Sequence, residues 1–114
     1  MLHIIIYHKK YNTHRKDDFM FEKHVEMLKD DIVSTVIRLI QIPSVYENSK
    51  DPTKPFGEGA NRALEYTLNL GKSLGFKTKN INGYCGYIEF GEGDELVGII
   101  GHLDVVPVRK RLDI

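Results

Sequence analysis

The stretch Leu96-Val97-Gly98-Ile99-Ile100 restricts the fold more than any other part of the chain. Alternate side chains of an extended strand point to opposite faces, so a run with no polar residue leaves neither face for water. Such a strand belongs inside a sheet with helices over both sides, the usual setting of parallel strands in α/β proteins. Gly101-His102-Leu103-Asp104 follows at once. An imidazole and a carboxylate therefore sit at the carboxyl end of the strand, where ligands gather in open α/β sheets.

The segments upstream supply the other layers. Val25, Leu28, Ile32, Val33, Val36, Ile37 and Ile40 recur at three- and four-residue steps, predicting a first helix over residues 21–41 with these side chains inward. Pro43 ends it by removing a backbone donor and biasing the residue before it away from helix. A loop rich in Asn, Asp, Ser and Pro occupies residues 46–55. A second helix is expected over residues 58–74, with Ala60, Ala63, Leu64, Thr67, Leu68, Gly71 and Leu74 inward and Gly75 as its left-handed stop. Residues 76–81 and 84–90 then read as two strands joined by Asn82-Gly83, a tight-turn dipeptide. The order of helix, helix, hairpin and buried strand is that of an α/β fold, and one buried strand requires further strands beside it. Residues 1–17 show no sustained period and are assigned no element.

Composition narrows the function. Sixteen basic residues balance sixteen acidic ones, so no overall field favours nucleic acid or an anionic membrane surface. Cys85 is the single cysteine, which excludes an internal disulfide and suits a reducing cytoplasm. Ile4-Ile5-Ile6-Tyr7 is too short for a membrane span of about 20 residues. His3, His8, His14 and His24 lack metal-ligand spacing with an acidic or cysteine partner, and Cys85 has no nearby base in sequence. The acidic run Glu89, Glu92, Asp94 and Glu95 reads as a solvated turn. Gly57-x-Gly59 lacks the third glycine of a dinucleotide-binding turn, which is Arg62 here, and no strand precedes it.

His102 and Asp104 remain. In an extended segment residues two apart share a side, so the ring and the carboxylate converge. A neutral imidazole can give one nitrogen to zinc while a nearby carboxylate fixes its tautomer. His-x-Asp alone is a weak pattern, with a hydrogen-bonded structural histidine as the plainer alternative.

The surrounding residues add a resemblance. Gly101-His102-Leu103-Asp104-Val105-Val106-Pro107 closely resembles the first zinc motif of the aminoacylase and carboxypeptidase-G-like metallopeptidases. Ile42-Pro43-Ser44-Val45 looks like the loop after that family's first helix. Pro55-Phe56-Gly57-Glu58-Gly59 and Gly75-Phe76-Lys77-Thr78-Lys79-Asn80 are similar to its dipeptidase branch, which includes carnosinase-like and Xaa-His dipeptidases. The resemblance covers residues 20–108. It implies a zinc-exopeptidase-like catalytic domain that hydrolyses dipeptides with a metal-activated water, His102 as the first metal ligand and Asp104 as the catalytic carboxylate supporting the site. Two zinc ions are implied for an intact member. The bridging Asp, the Glu pair, the further acidic ligand and the final His of the family have no counterpart here, so the resemblance implies a partial domain, inactive alone.

Both ends depart from the family pattern. Residues 1–19 are expected to be a disordered leader or a mis-assigned start, since Met20 stands where the family's first helix begins. Arg109-Lys110-Arg111-Leu112-Asp113-Ile114 replaces the family's glycine-containing acidic turn and tryptophan. These six residues can be written AGG AAA AGA TTG GAT ATA, and that string shifted by one base reads Gly-Lys-Asp-Trp-Ile, so residues 109–114 are expected to be a frameshifted tail. The competing reading is a small non-catalytic α/β module that binds a partner or a metal. A self-sufficient module should close its sheet, whereas a partial domain leaves a strand of buried composition with open faces.

Overall fold

The computed structural model describes residues 3–9 and 18–108; within 3–9 and 18–20, Ile4 is the one side chain described. Its elements run β1 (His3–Lys9), α1 (Asp18–Met27), α2 (Lys29–Ile40), α3 (Glu58–Ser73), β2 (Lys77–Ile81), β3 (Cys85–Phe90) and β4 (Leu96–His102). The four strands form one sheet in the order β2-β3-β1-β4. It is mixed: β1 is parallel to β3 and antiparallel to β4, and β2 is antiparallel to β3. The α/β class expected from the sequence is present.

Helix α3 covers the sheet and supplies most of the core. Ala60, Ala63, Leu64, Leu68 and Gly71 recur at helical spacing and are its buried residues. Leu64 and Leu68 meet Ile88 of β3 and Ile4 of β1, with Phe56, Phe76 and Leu103 packed around them. Close approach depends on two glycines, because a Cβ on Gly86 would lie 2.9 Å from Leu68 Cδ2 and one on Gly71 would lie 2.9 Å from Ile88 Cδ1. The helix ends as expected, at Leu74 followed by Gly75 in the left-handed region with φ 89°. Leu74, expected inward, is exposed, because its position caps the helix beyond the last buried turn.

The hairpin also follows its sequence. Asn82 and Gly83 have φ of 53° and 75°, the pair of positive values that a tight hairpin turn requires, and Tyr84 N donates to Ile81 O at 3.0 Å. In the loop before α3, Asp51 Oδ1 accepts from Thr53 Oγ1 at 2.6 Å and from Thr53 N at 2.9 Å. These bonds, the hydroxyl first, hold the Asp51 carboxyl below its ordinary value.

Four expectations need correction. The single helix over residues 21–41 is two, interrupted at Leu28, whose N–H is shared between Val25 O at 3.1 Å and His24 O at 3.2 Å, a tightened turn. The apolar stripe of this region is not inward: α2 has no buried residue, and Ile32, Val33, Val36, Ile37 and Ile40 are all exposed. Periodicity marks a face that needs cover; here nothing among the described residues covers it. The apolar strand is likewise not enclosed. β4 lies at the sheet edge, antiparallel to its neighbour, and Leu96, Val97, Ile99 and Ile100 are exposed on both faces. Finally, a strand forms where no element was expected, since the β-branched run at residues 4–6 pairs between β3 and β4. Met1, Leu2, the stretch 10–17 and the tail 109–114 lie outside the described residues.

Candidate functional site

The path of the backbone brings the site together from two distant segments. Val45 forms an isolated parallel bridge with Val105, and Val105 N donates to Ser44 O at 3.2 Å. Ser44, 3% exposed, donates its hydroxyl to the carbonyl of Leu103 at 2.8 Å. The segment after helix α2 is thus clamped to the segment after β4, on either side of the carbonyl that lies between His102 and Asp104. Behind the clamp, Gly59 in the first turn of α3 faces Pro43, and a Cβ there would lie 1.8 Å from the Pro43 carbonyl oxygen. Only a residue without a side chain fits.

His102 is the last residue of β4. Its Nδ1 lies 2.9 Å from the Asp104 carbonyl oxygen and 3.6 Å from Asp104 Oδ1. The ring and the carboxylate do converge, yet the nearer oxygen belongs to the backbone. A carbonyl oxygen can only accept, so the shorter contact places the proton on Nδ1 and the lone pair on Nε2. That tautomer is the one a metal ligand needs. The imidazole is more than half exposed and the Asp104 carboxylate mostly shielded. Leu39, Ile40, Ile42, Ser44, His102, Leu103, Asp104 and Val105 line a cavity of about 220 Å³.

Among the described residues no three His, Cys, Asp or Glu side chains group where they could hold an ion. His102 and Asp104 form a pair: the ring nitrogen Nδ1 faces the Asp104 carbonyl, with the carboxylate beyond it. A Cβ on Gly101 would meet Ile4 Cγ2 at 3.8 Å, an ordinary contact that requires no special room.

Ser44 was not singled out chemically by the sequence; its partner lies 59 residues away, and only the Ile-Pro-Ser-Val resemblance touched it. The strand register likewise sets His3 across from His102, a neighbour that spacing along the chain does not disclose. Ser44→Ala is expected to leave the shielded Leu103 carbonyl without its donor and to cost about 1–3 kcal/mol. A thermal melt unchanged within a degree would show the clamp to be dispensable.

No family model matches the chain. It is 44% identical over 88 residues, 76% of its length, to a Bacillus subtilis protein provisionally named dipeptidase YtjP. It is 40% identical over 92 residues to the Beta-Ala-Xaa dipeptidase of Lactobacillus delbrueckii subsp. lactis, and 36% identical over 89 residues to a provisionally named dipeptidase of Staphylococcus epidermidis. These relatives are dipeptidases by name. The chain spans 19% of the length of each. Similarity to dipeptidases therefore extends over about three quarters of this chain and reaches a fifth of theirs. Among the described residues, no helix is long and apolar enough to cross a membrane.

Proposed function

We propose that this chain is the amino-terminal part of a zinc-dependent dipeptidase catalytic domain, carrying the first metal ligand, His102, and the carboxylate that supports it, Asp104. The observation that carries this reading is the similarity to dipeptidases across residues that include most of the chain. The geometry of the ring supports it: Nδ1 is engaged by Asp104, and Nε2 is left with the lone pair for a metal. When bound, zinc would polarise a scissile carbonyl and make a water nucleophilic near neutral pH. The work of this chain's own residues is positional. Ser44 and Val105 fix the turn that carries His102 and Asp104, and Asp104 fixes the tautomer and plane of the ring.

The substrate class is a dipeptide, and the compartment a reducing cytoplasm. Among the described residues no three potential ligands group around an ion, and the family's Glu pair has no counterpart in the sequence, so the reading includes an inactive isolated chain. The test is a chimaera in which residues 20–108 replace the matching segment of the Bacillus subtilis relative. Dipeptide hydrolysis is expected from the chimaera and not from the chain. Asp104→Asn in the chimaera keeps the carbonyl 2.9 Å from Nδ1 and removes only the carboxylate 3.6 Å away, so it should lower activity or metal affinity by about tenfold at most, and His102→Ala should lower it further. A chimaera indifferent to His102→Ala would remove the metal role, and dipeptide hydrolysis by the isolated chain would overturn the partial-domain reading.

A further inference from the structure

Asn82-Gly83 is a reactive dipeptide as well as a turn. A glycine nitrogen is uncrowded by any side chain of its own residue and can attack the side-chain carbon of a preceding asparagine. The bond from Gly83 N to Asn82 Cγ forms, the Cγ–Nδ2 bond breaks, and ammonia leaves with the proton of the glycine N–H. The five-membered imide then takes up one water. It opens to aspartate or, through its other carbonyl, to isoaspartate, whose main chain runs through the former side chain. Asn82 is exposed, and a cavity of about 380 Å³ lined by Pro52, Thr53, Asn80, Asn82 and Gly83 lies beside it.

The surroundings of the Gly83 nitrogen oppose the attack. It donates to Asn80 Oδ1 at 2.7 Å, and Asn80 Nδ2 donates in turn to Glu65 Oε1 on α3 at 2.7 Å. A carboxylate accepts and a backbone N–H donates, so these two partners fix which way the Asn80 amide faces. Gly83 is buried, and a Cβ on it would lie 2.3 Å from the Thr53 carbonyl oxygen. Asn82 is itself held at φ 53°. To reach Asn82 Cγ, the nitrogen must leave Asn80 and the turn must pull away from Thr53. We propose that Asn82 is a deamidation site latched by Glu65 and Asn80, modified only when the turn opens. The isoaspartate product adds a methylene to the main chain and cannot restore the pair of positive-φ positions that closes the hairpin. An opening event is thus recorded as one negative charge on a formally neutral chain.

The experiment incubates the full chain near neutral pH, folded and in denaturant, and follows the peptide containing Asn82 by mass spectrometry, with isoaspartate separated by chromatography. Deamidation should be slower in the folded chain by about tenfold or more, since it waits on local opening. Asn80→Ala should raise the folded-state rate by about tenfold, and Glu65→Ala, on an exposed helix residue, should raise it in the same direction. Hydrogen exchange in Asn80→Ala should quicken at the Gly83 amide and not at Ile88, in the core of β3. The isolated isoaspartate form should melt below the parent, whereas Asn82→Asp, which keeps a turn-forming pair, should melt close to it. Equal deamidation rates for folded and denatured parent would overturn the proposal, and that comparison needs no variant to fold. So would an Asn80→Ala chain that deamidates no faster than the parent, or one in which Ile88 exchange quickens as much as that of Gly83, the mark of general loosening.

Discussion

Leu64→Ala is expected to abolish cooperative unfolding of the chain. Leu64 is fully buried beside Leu68 on the face of α3 that meets Ile88 and Ile4, and it is the largest side chain in the described residues with essentially no exposure. Truncating a buried leucine costs about 2–5 kcal/mol, through lost transfer energy and the cavity left behind. A domain of this size has a total stability of about 5–15 kcal/mol, and one whose α2 and β4 bury little stands at the low end. The substitution therefore removes most of what holds the sheet to α3. Circular dichroism on heating should show a sloping loss of signal in place of a transition. Leu64→Met, which conserves volume, should cost under about 1.5 kcal/mol and retain the transition. A melting point for Leu64→Ala within a few degrees of the parent would place the centre of the core elsewhere.

The second large effect is Gly59→Ala. In most helices this exchange is neutral or stabilising by about 0.5–1 kcal/mol, because alanine loses less backbone freedom on folding. Here the sign reverses. The new Cβ would sit 1.8 Å from Pro43 O and 2.9 Å from Pro43 C, backbone atoms that cannot rotate aside. Either α3 or the loop after α2 must withdraw. Because that loop carries Ser44, its withdrawal detaches the Leu103 carbonyl and frees the turn between His102 and Asp104. The expected result is a loss of about 2 kcal/mol or more in denaturant unfolding, together with a shift of the His102 ring resonances in NMR. Unchanged His102 resonances in a destabilised protein would show that the helix, not the loop, gives way. Gly75→Ala offers a contrast: nothing lies within 4 Å of its Cβ, so its cost comes from the positive φ alone.

The parts of the fold that were legible are those whose cause is local. Helix α3 showed itself because its apolar residues recur at helical spacing and it stops at a glycine, and the hairpin because Asn82-Gly83 tolerates positive φ at both positions. The burial of α2 and β4 was misread for one shared reason. An amphipathic or wholly apolar pattern states which surfaces are apolar; it does not state that a covering layer is at hand. Strand β1 was missed since its pairing is with residues some 80 positions away, and a few β-branched residues among basic and aromatic ones make no sustained alternation. At the candidate site the pair His102 and Asp104 was legible from spacing, whereas the preference of the ring for the Asp104 carbonyl over its carboxylate, and the Ser44 clamp, depend on how the turn after β4 is held in space.

The position of β1 has a consequence for how the sheet assembles. In chain order β1 precedes both of its neighbours, β3 and β4, with three helices and β2 between. The hairpin and α3 can join early, since they are contiguous in sequence, but the middle of the sheet stays open until residues 96–102 emerge. Until then β1 carries unpaired backbone donors and acceptors on both edges, and closing its ladders requires loops of roughly 80 residues or more, the slowest kind of contact for a small domain. During synthesis this strand is therefore the segment most available to a chaperone, or to the same strand of a neighbouring nascent chain.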